Sequence, residues 1–233
     1  EYNLIVKGID QYNDFFAIKK KSFDGIIIMS QSPKDEAFIE DISNKKIPMI
    51  LLNRESKKDV SSWVLSDDRM GSQKATQYLI DMGHKDIAII EGIEGFQSSV
   101  ERKEGYIRAM KDNDIEIDPD FMVKGEYNLQ SGYTAMIEIL NLKKRPTAVF
   151  CSNDDMAVGA MKAIISKGLS IPEDISIVGF DDNIFSEYTN PGLTTVRRPV
   201  GLIGQIGARY LIDVLDNSRE ESLKMNIKTE LIV

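Results

Sequence analysis

Three apolar runs in this chain lead into a hydrogen-bonding side chain: Asn53 closes 49–53, Asn153 follows 148–152, and Asp181 follows 175–180. Short apolar runs of this kind read as buried strands. In an open α/β sheet, ligands bind in the crevice beyond the carboxyl ends of the strands. There Asp181 would offer an anionic acceptor to hydroxyl or amine donors, and Asn153 would offer both a donor and an acceptor. The competing reading is that Asp181-Asp182-Asn183 only turns the chain and caps the next short helix. Arg102 divides in the same way. It lies about one turn into a helix for which Ser98 or Ser99 would be a good N-cap. Its planar fork would clamp hydroxyls, a carboxylate or a phosphate, or else form an ordinary solvated ion pair. Asp154 or Asp155 would cap the helix that follows Asn153.

Groups suited to catalysis are scarce. His84 is the single histidine, which rules out His-cluster metal sites and two-His zinc motifs. Placed just after a helix stop at Gly83, it suits a cation or a hydrogen bond to orphan carbonyls. Cys151 is the single cysteine and sits in an apolar strand, so it reads as an inert core thiol. It leaves no intrachain disulfide and fits a reducing compartment. The sequence contains neither a phosphate-binding loop nor a Gly-x-Ser-x-Gly elbow. Neither an enzyme nor a metal or cofactor site is expected.

The elements that would position these groups follow from hydrophobic periodicity. Strands are expected at 4–7, 25–29, 49–53, 87–91, 148–152 and 175–180, with a last one at 226–233. Helices are expected at 35–44, 71–82, 101–113, 131–142, 156–167 and 200–216, with Gly83 and Gly168 as stop signals and Pro172 close behind the second. Strand–helix alternation of this kind argues for an α/β fold of parallel, helix-covered sheets. The rhythm restarts after Asp67, and the helix after Pro199 suits a return to the first half. Two lobes are therefore expected: 1–66 with 197–221, and 67–196 with 222–233. Lobes interrupted in this way suit a hinged cleft.

Composition sets the outer limits. At 233 residues and 42% hydrophobic, the chain can bury a substantial core. A net charge of −8 argues against a nucleic-acid surface within it, because phosphate binding needs clustered Lys and Arg. No apolar run approaches the roughly 20 residues that span a bilayer. The opening Glu1-Tyr2-Asn3-Leu4-Ile5-Val6 looks like a strand already under way, so residues upstream are expected.

Several motifs recur in a familiar order. These are Gly83-His84 to Gly92, Asn153-Asp154 to Gly159, Gly168-Leu169-Ser170-Ile171-Pro172-Glu173-Asp174, Gly179-Phe180-Asp181-Asp182 and Leu193-Thr194-Thr195-Val196. Together they resemble the effector-binding region of LacI/GalR-family bacterial transcription regulators, over essentially the whole chain. The resemblance implies a type I periplasmic-binding-protein-like fold: two α/β lobes joined by a three-crossover hinge, with a small molecule between them. It implies ligand roles for Arg102, Asp181 and Asn153, and a stacking role for Tyr127, which would otherwise be an ordinary core aromatic. Asn53 stands where many relatives carry an aspartate, which makes its contact a neutral one. Ser66 replaces the commoner aspartate or aromatic. Arg198, at the third crossover, would reach the cleft or only the hinge.

The same resemblance implies an upstream helix-turn-helix and hinge helix, then a strand and helix preceding Tyr2. That strand would be central to the first lobe's sheet, so a further segment or a partner is expected to fill its place. The expected function is effector sensing and dimerisation in a cytoplasmic regulator. A sugar or similar metabolite would close the cleft and switch operator binding by population shift. Operator DNA would be read through the upstream module, in a homodimer, with no membrane partner. A sugar-binding transport receptor of the same fold, or a regulator set by a protein partner, are the alternatives.

Overall fold

The computed structural model describes residues 2–8, 23–56, 62–218 and 221–233. It divides into two compact units, 1–65 with 200–226, and 66–199 with 227–233. The chain passes between them after residues 65, 199 and 226.

In the first unit a four-stranded sheet runs in the order β1 (Ile26–Ile28), β2 (Met49–Leu52), β3 (Ser62–Ser66), β9 (Lys224–Ile227). β1 to β2 and β2 to β3 are parallel, with Ile50 opposite both Ile27 and Ser62. Helix α1 (Glu36–Asn44) buries Phe38, Ile39 and Ile42, the i, i+1, i+4 stripe of an amphipathic helix, against Ile28, Ile47 and Leu51. Helix α6 (Val200–Leu215) crosses the sheet at Gly207, where a β-carbon would lie 2.6 Å from a Leu52 methyl. Tyr210 on that helix shares a hydrogen bond with the Ser62 hydroxyl, which in turn accepts the Leu223 amide at 3.0 Å.

The second unit is a three-layer sandwich around the parallel sheet β5 (Met122–Lys124), β4 (Ile87–Glu91), β6 (Ala148–Cys151), β7 (Ser176–Val178). Side chains alternate along each strand. Ile87, Ile89, Ala148, Phe150 and Val178 therefore pack on helices α2 (Asp68–Asp81) and α3 (Gln97–Asp112). Ala88, Ile90, Val149, Cys151 and Ile177 pack on α4 (Leu129–Leu140) and α5 (Asp154–Ser166). The near-continuous apolar strands visible in the sequence are those of a sheet covered on both faces. An antiparallel pair, β8 (Thr195–Arg197) with β10 (Glu230–Ile232), completes the unit.

Both glycine stops close their helices as expected. Gly83 and Gly168 have φ of 96° and 75°, and the next amide in each case bonds back five residues, His84 to Leu79 and Leu169 to Ile164. Four expectations are corrected. Residues 4–7 form no strand: Leu4, Ile5 and Val6 are exposed and meet no ladder partner among the described residues. The expected strand 226–233 is two strands in two sheets, β9 and β10. Helix α3 begins at Gln97 with Phe96 as its N-cap residue, so Ser98 and Ser99 lie inside its first turn. Helix α5 is capped by Asn153, with neither Asp154 nor Asp155 in that place. Strands β3, β5 and β8 escaped the periodicity argument because they are short and interrupted by polar residues.

Candidate functional site

Arg102 anchors a cluster of charges at the carboxyl edge of the second unit's sheet. It sits in the second turn of α3 and is 2% exposed. Its Nε donates to Asp68 Oδ2 at 2.9 Å, and Nη2 lies 2.8 Å from the same oxygen. Nη1 donates to the Ser152 carbonyl at the end of β6, and Nη2 donates to Asp181 Oδ1 at 3.1 Å. The face of the guanidinium lies 3.9 Å from the Phe180 ring centroid, a stacking arrangement that arginine tolerates and lysine does not. Burial by itself would lower the pKa of this group; Asp68 and Asp181 more than offset it, and the net shift is upward. Arg102 is thus a permanent cation held between two carboxylates.

Arg198 joins the same group. Its Nε donates to the Ser66 hydroxyl at 3.1 Å and lies 3.5 Å from Asp68 Oδ1, while Nη1 is 3.7 Å from Asp181 Oδ1. Ser66 also donates to Asp68. Two arginines and two carboxylates make the cluster neutral overall. Asp181 meets Arg102 and Arg198 through Oδ1 and keeps its side chain 22% exposed. Desolvation raises its pKa, against the pull of Arg102 and Arg198.

Tyr127 and Asn153 adjoin this cluster. Tyr127, half-buried at φ 56°, shares hydrogen bonds with the hydroxyls of Ser98 at 2.9 Å and Ser99 at 2.8 Å. Its ring lies 5.7 Å from the Arg102 guanidinium carbon. A β-carbon at Gly92 would fall 2.1 Å from the ring, so glycine at the end of β4 is what admits the tyrosine. Asn153 accepts the Met156 amide at 2.9 Å as the cap of α5 and donates to the Tyr127 carbonyl at 3.4 Å. Asn53 belongs to the first unit, just past β2, at φ 61° with its amide on the Val64 carbonyl at 3.0 Å.

The structure therefore gathers Ser66, Arg102, Asp181 and Arg198 directly and sets Tyr127 and Asn153 beside them. It adds one residue that sequence reasoning passed over. Asp68, at the first position of α2, touches both arginines. Its signal was present in Ser66-Asp67-Asp68, a strand end running into two acids, of which Asp67 caps α2 by accepting the Met70 amide at 3.1 Å. His84 does not reach orphan carbonyls. Its two ring nitrogens meet the hydroxyls of Thr147 at 2.9 Å and Ser176 at 3.0 Å, and burial lowers its pKa. It is a neutral staple between strand ends. Burial raises the Cys151 thiol well above its ordinary value, as suits a core residue.

A helix-covered parallel sheet with a neutralised charge cluster at its carboxyl edge defines a small-molecule-binding domain of the periplasmic-binding-protein-like class, and residues 76–233 match the family model described as a periplasmic binding protein-like domain. A probable HTH-type transcriptional repressor, ExuR of Bacillus subtilis (strain 168), is 48% identical over the whole of this chain, which covers 70% of its length. The structure of the transcriptional regulator CelR in complex with cellobiose superimposes with a TM-score of 0.90 at 28% identity, over 97% of this chain and 70% of that one. A LacI-family regulatory protein from Chloroflexus aggregans does so at 0.86 and 31%, over 97% and 80%. The chain belongs to the LacI family of transcriptional regulators and is its effector-binding region. The transport-receptor alternative is thereby set aside.

Proposed function

We propose that the charge cluster at Arg102 and Asp181 receives a hydroxyl-rich effector, a sugar or a similar small metabolite. The observation that carries this is the division of labour at Asp181. Its Oδ1 is committed to two arginines while the side chain keeps 22% of its surface exposed, so the carboxylate's second oxygen would be the one to meet a ligand hydroxyl. A guanidinium locked behind it favours the ionised form against the desolvation of that carboxylate and fixes its aim. Tyr127 supplies an apolar face for a sugar ring. Ser66, Asn153 and Arg198 surround the same edge, and Asn53 is the first unit's candidate for a neutral hydrogen bond. The cellobiose bound by CelR supports a sugar as the ligand class.

Effector occupancy would then shift a conformational equilibrium and change operator binding by a helix-turn-helix module of the full-length, cytoplasmic protein. It can do so only by the difference in its affinity for the two states. The working assembly is a homodimer, and the work is binding and switching, not catalysis. A thermal-shift screen of sugars, sugar phosphates, nucleobases and organic acids tests the reading. A ligand at about 100 times its dissociation constant adds roughly 2.7 kcal/mol of stability. The shift should vanish in Asp181→Ala and Arg102→Ala and shrink in Asn53→Ala. A shift that survives the first two substitutions would refute the site.

A further inference from the structure

The segment that carries Asp181 is held in a costly shape. Asp181 and Asp182 have φ of 115° and 56°, conformations that are unfavourable for a non-glycine residue and persist only where surroundings over-determine them. Their surroundings converge on one side chain. Asp154, the first residue of α5, is completely buried. Its Oδ2 accepts the Asn183 amide at 2.7 Å and the Ser186 hydroxyl at 2.9 Å. Its Oδ1 accepts the Thr195 hydroxyl at 2.5 Å. The Asp154 amide donates to the Phe180 carbonyl at 2.8 Å. Thr195 also accepts the Asp182 amide at 3.4 Å, which links the carboxylate to the turn itself.

One carboxylate therefore holds both arms of the excursion that leaves β7 after Val178 and returns at β8. Room for it is purchased at Gly179, where a β-carbon would lie 2.3 Å from Asp154 Oδ1. An acid at the first turn of a helix ordinarily faces solvent and complements the helix dipole, for which burial is unnecessary. Burying an acid is unfavourable, and its pKa rises to about 6 despite three donors.

We propose that Asp154, acting through Thr195 and the 182–186 backbone, is a positioning residue that sets the orientation of the effector-binding carboxylate of Asp181. This rests on the assignment of Asp181 to the effector. The hydrogen bonds of Asp154 go to Asn183, Ser186, Thr195 and Phe180, outside the charge cluster; beyond the repulsion between its charge and that of Asp181, its influence is on the backbone from which Asp181 projects.

The test is a double-mutant cycle on effector affinity in the full-length protein, by calorimetric titration with cellobiose and with the mono- and disaccharides of the screen. It is paired with amide hydrogen exchange read residue by residue. Asp154→Asn and Thr195→Val should each weaken binding about tenfold, the loss of one or two charge-assisted hydrogen bonds. Thr195→Ser, which keeps the hydroxyl, should stay within about twofold to threefold of the native affinity. Once Asp181 is replaced by Asn, adding Asp154→Asn should cost nothing further, because contacts that act through one group are not additive. Exchange at Asp182 and Asn183 should accelerate in Thr195→Val and not in Thr195→Ser. Additive losses, or native affinity in Asp154→Asn, would overturn the proposal. If Asp181→Asn binds normally or no sugar binds, the effector assignment fails instead. The exchange measurement then decides alone: unchanged protection at Asp182 and Asn183 in Thr195→Val rejects Asp154 as their anchor. Should Asp154→Asn fail to fold, the Thr195 pair carries both measurements.

Discussion

A buried arginine is stable only while its carboxylates remain. Removing one member of such a pair leaves an uncompensated charge and typically costs about 3–5 kcal/mol. Arg102→Ala should therefore unfold in urea with a stability lowered by that amount, and Asp68→Ala should do nearly as much although it lies outside the expected ligand set. Arg102→Lys should rescue little, since a point charge cannot serve Asp68, Asp181 and the Ser152 carbonyl at once while stacking on Phe180. Asp154 makes a pH prediction. Its folded pKa of about 6 lies above the unfolded value of 3.8, so the stability it contributes is fully present below pH 3.8 and lost as pH rises through 6. Relative to Asp154→Asn, the native protein should gain about 1 kcal/mol on acidification from pH 7 to 5, measured by denaturant titration at each pH. An unchanged difference between the two proteins would show that Asp154 titrates normally. At this scale Asp181 stood out as a carboxylate following an apolar strand, and Arg102 as an arginine about a turn into the helix after β4. Asp68 and Asp154 did not, because an acid early in a helix has an ordinary explanation that only burial excludes.

Elements were legible where packing and local signals agree. The five-residue run of β4 is apolar on both faces, and its expected span 87–91 matches the structure end to end. Helix ends moved wherever a cap lay upstream of the apolar stripe: α2 starts three residues before Gly71, because Asp67 caps it. Two glycines separate backbone strain from crowding. At Gly83 a β-carbon meets nothing within 4 Å, but φ is 96°, so Gly83→Ala should cost about 1 kcal/mol from conformation alone. At Gly159 a β-carbon would lie 2.1 Å from the Leu129 carbonyl of the neighbouring helix, so Gly159→Ala must separate α4 from α5 and should cost about 1–3 kcal/mol or more. Melting curves of the two variants should differ in that order, with Gly83→Ala the milder. The reverse order would mean that the α4–α5 contact yields easily.

At the scale of the whole molecule, the proposed homodimer needs an apolar patch. The turn after Asp182 exposes Ile184 at 84% and Tyr188 at 77%. Large apolar side chains this open on an ordered turn are candidates for a covered face. Ile184→Asp should shift sedimentation of the full-length protein toward the monomer and leave unfolding stability within about 0.5 kcal/mol of native. A dimer that sediments unchanged would place the interface elsewhere.

Strand–helix alternation, helix stops and the motifs at 83–92, 153–159 and 179–182 were enough, by themselves, to define the fold class and the family, because burial on both sheet faces writes itself as continuous apolar strands. What the tertiary structure alone decided concerns partners far apart in the chain. Arg102 meets Asp68, 34 residues earlier, and Asp181, 79 later; Asp154 meets Thr195, 41 later. Residues 226–233 divide between two sheets because each half finds a different strand to pair with, and the apolar residues 4–6 pair with none among the described residues. Periodicity records which face of an element is buried. It carries no record of the partner against which that face is buried, and at this site the partner determines whether a carboxylate binds, anchors or only caps.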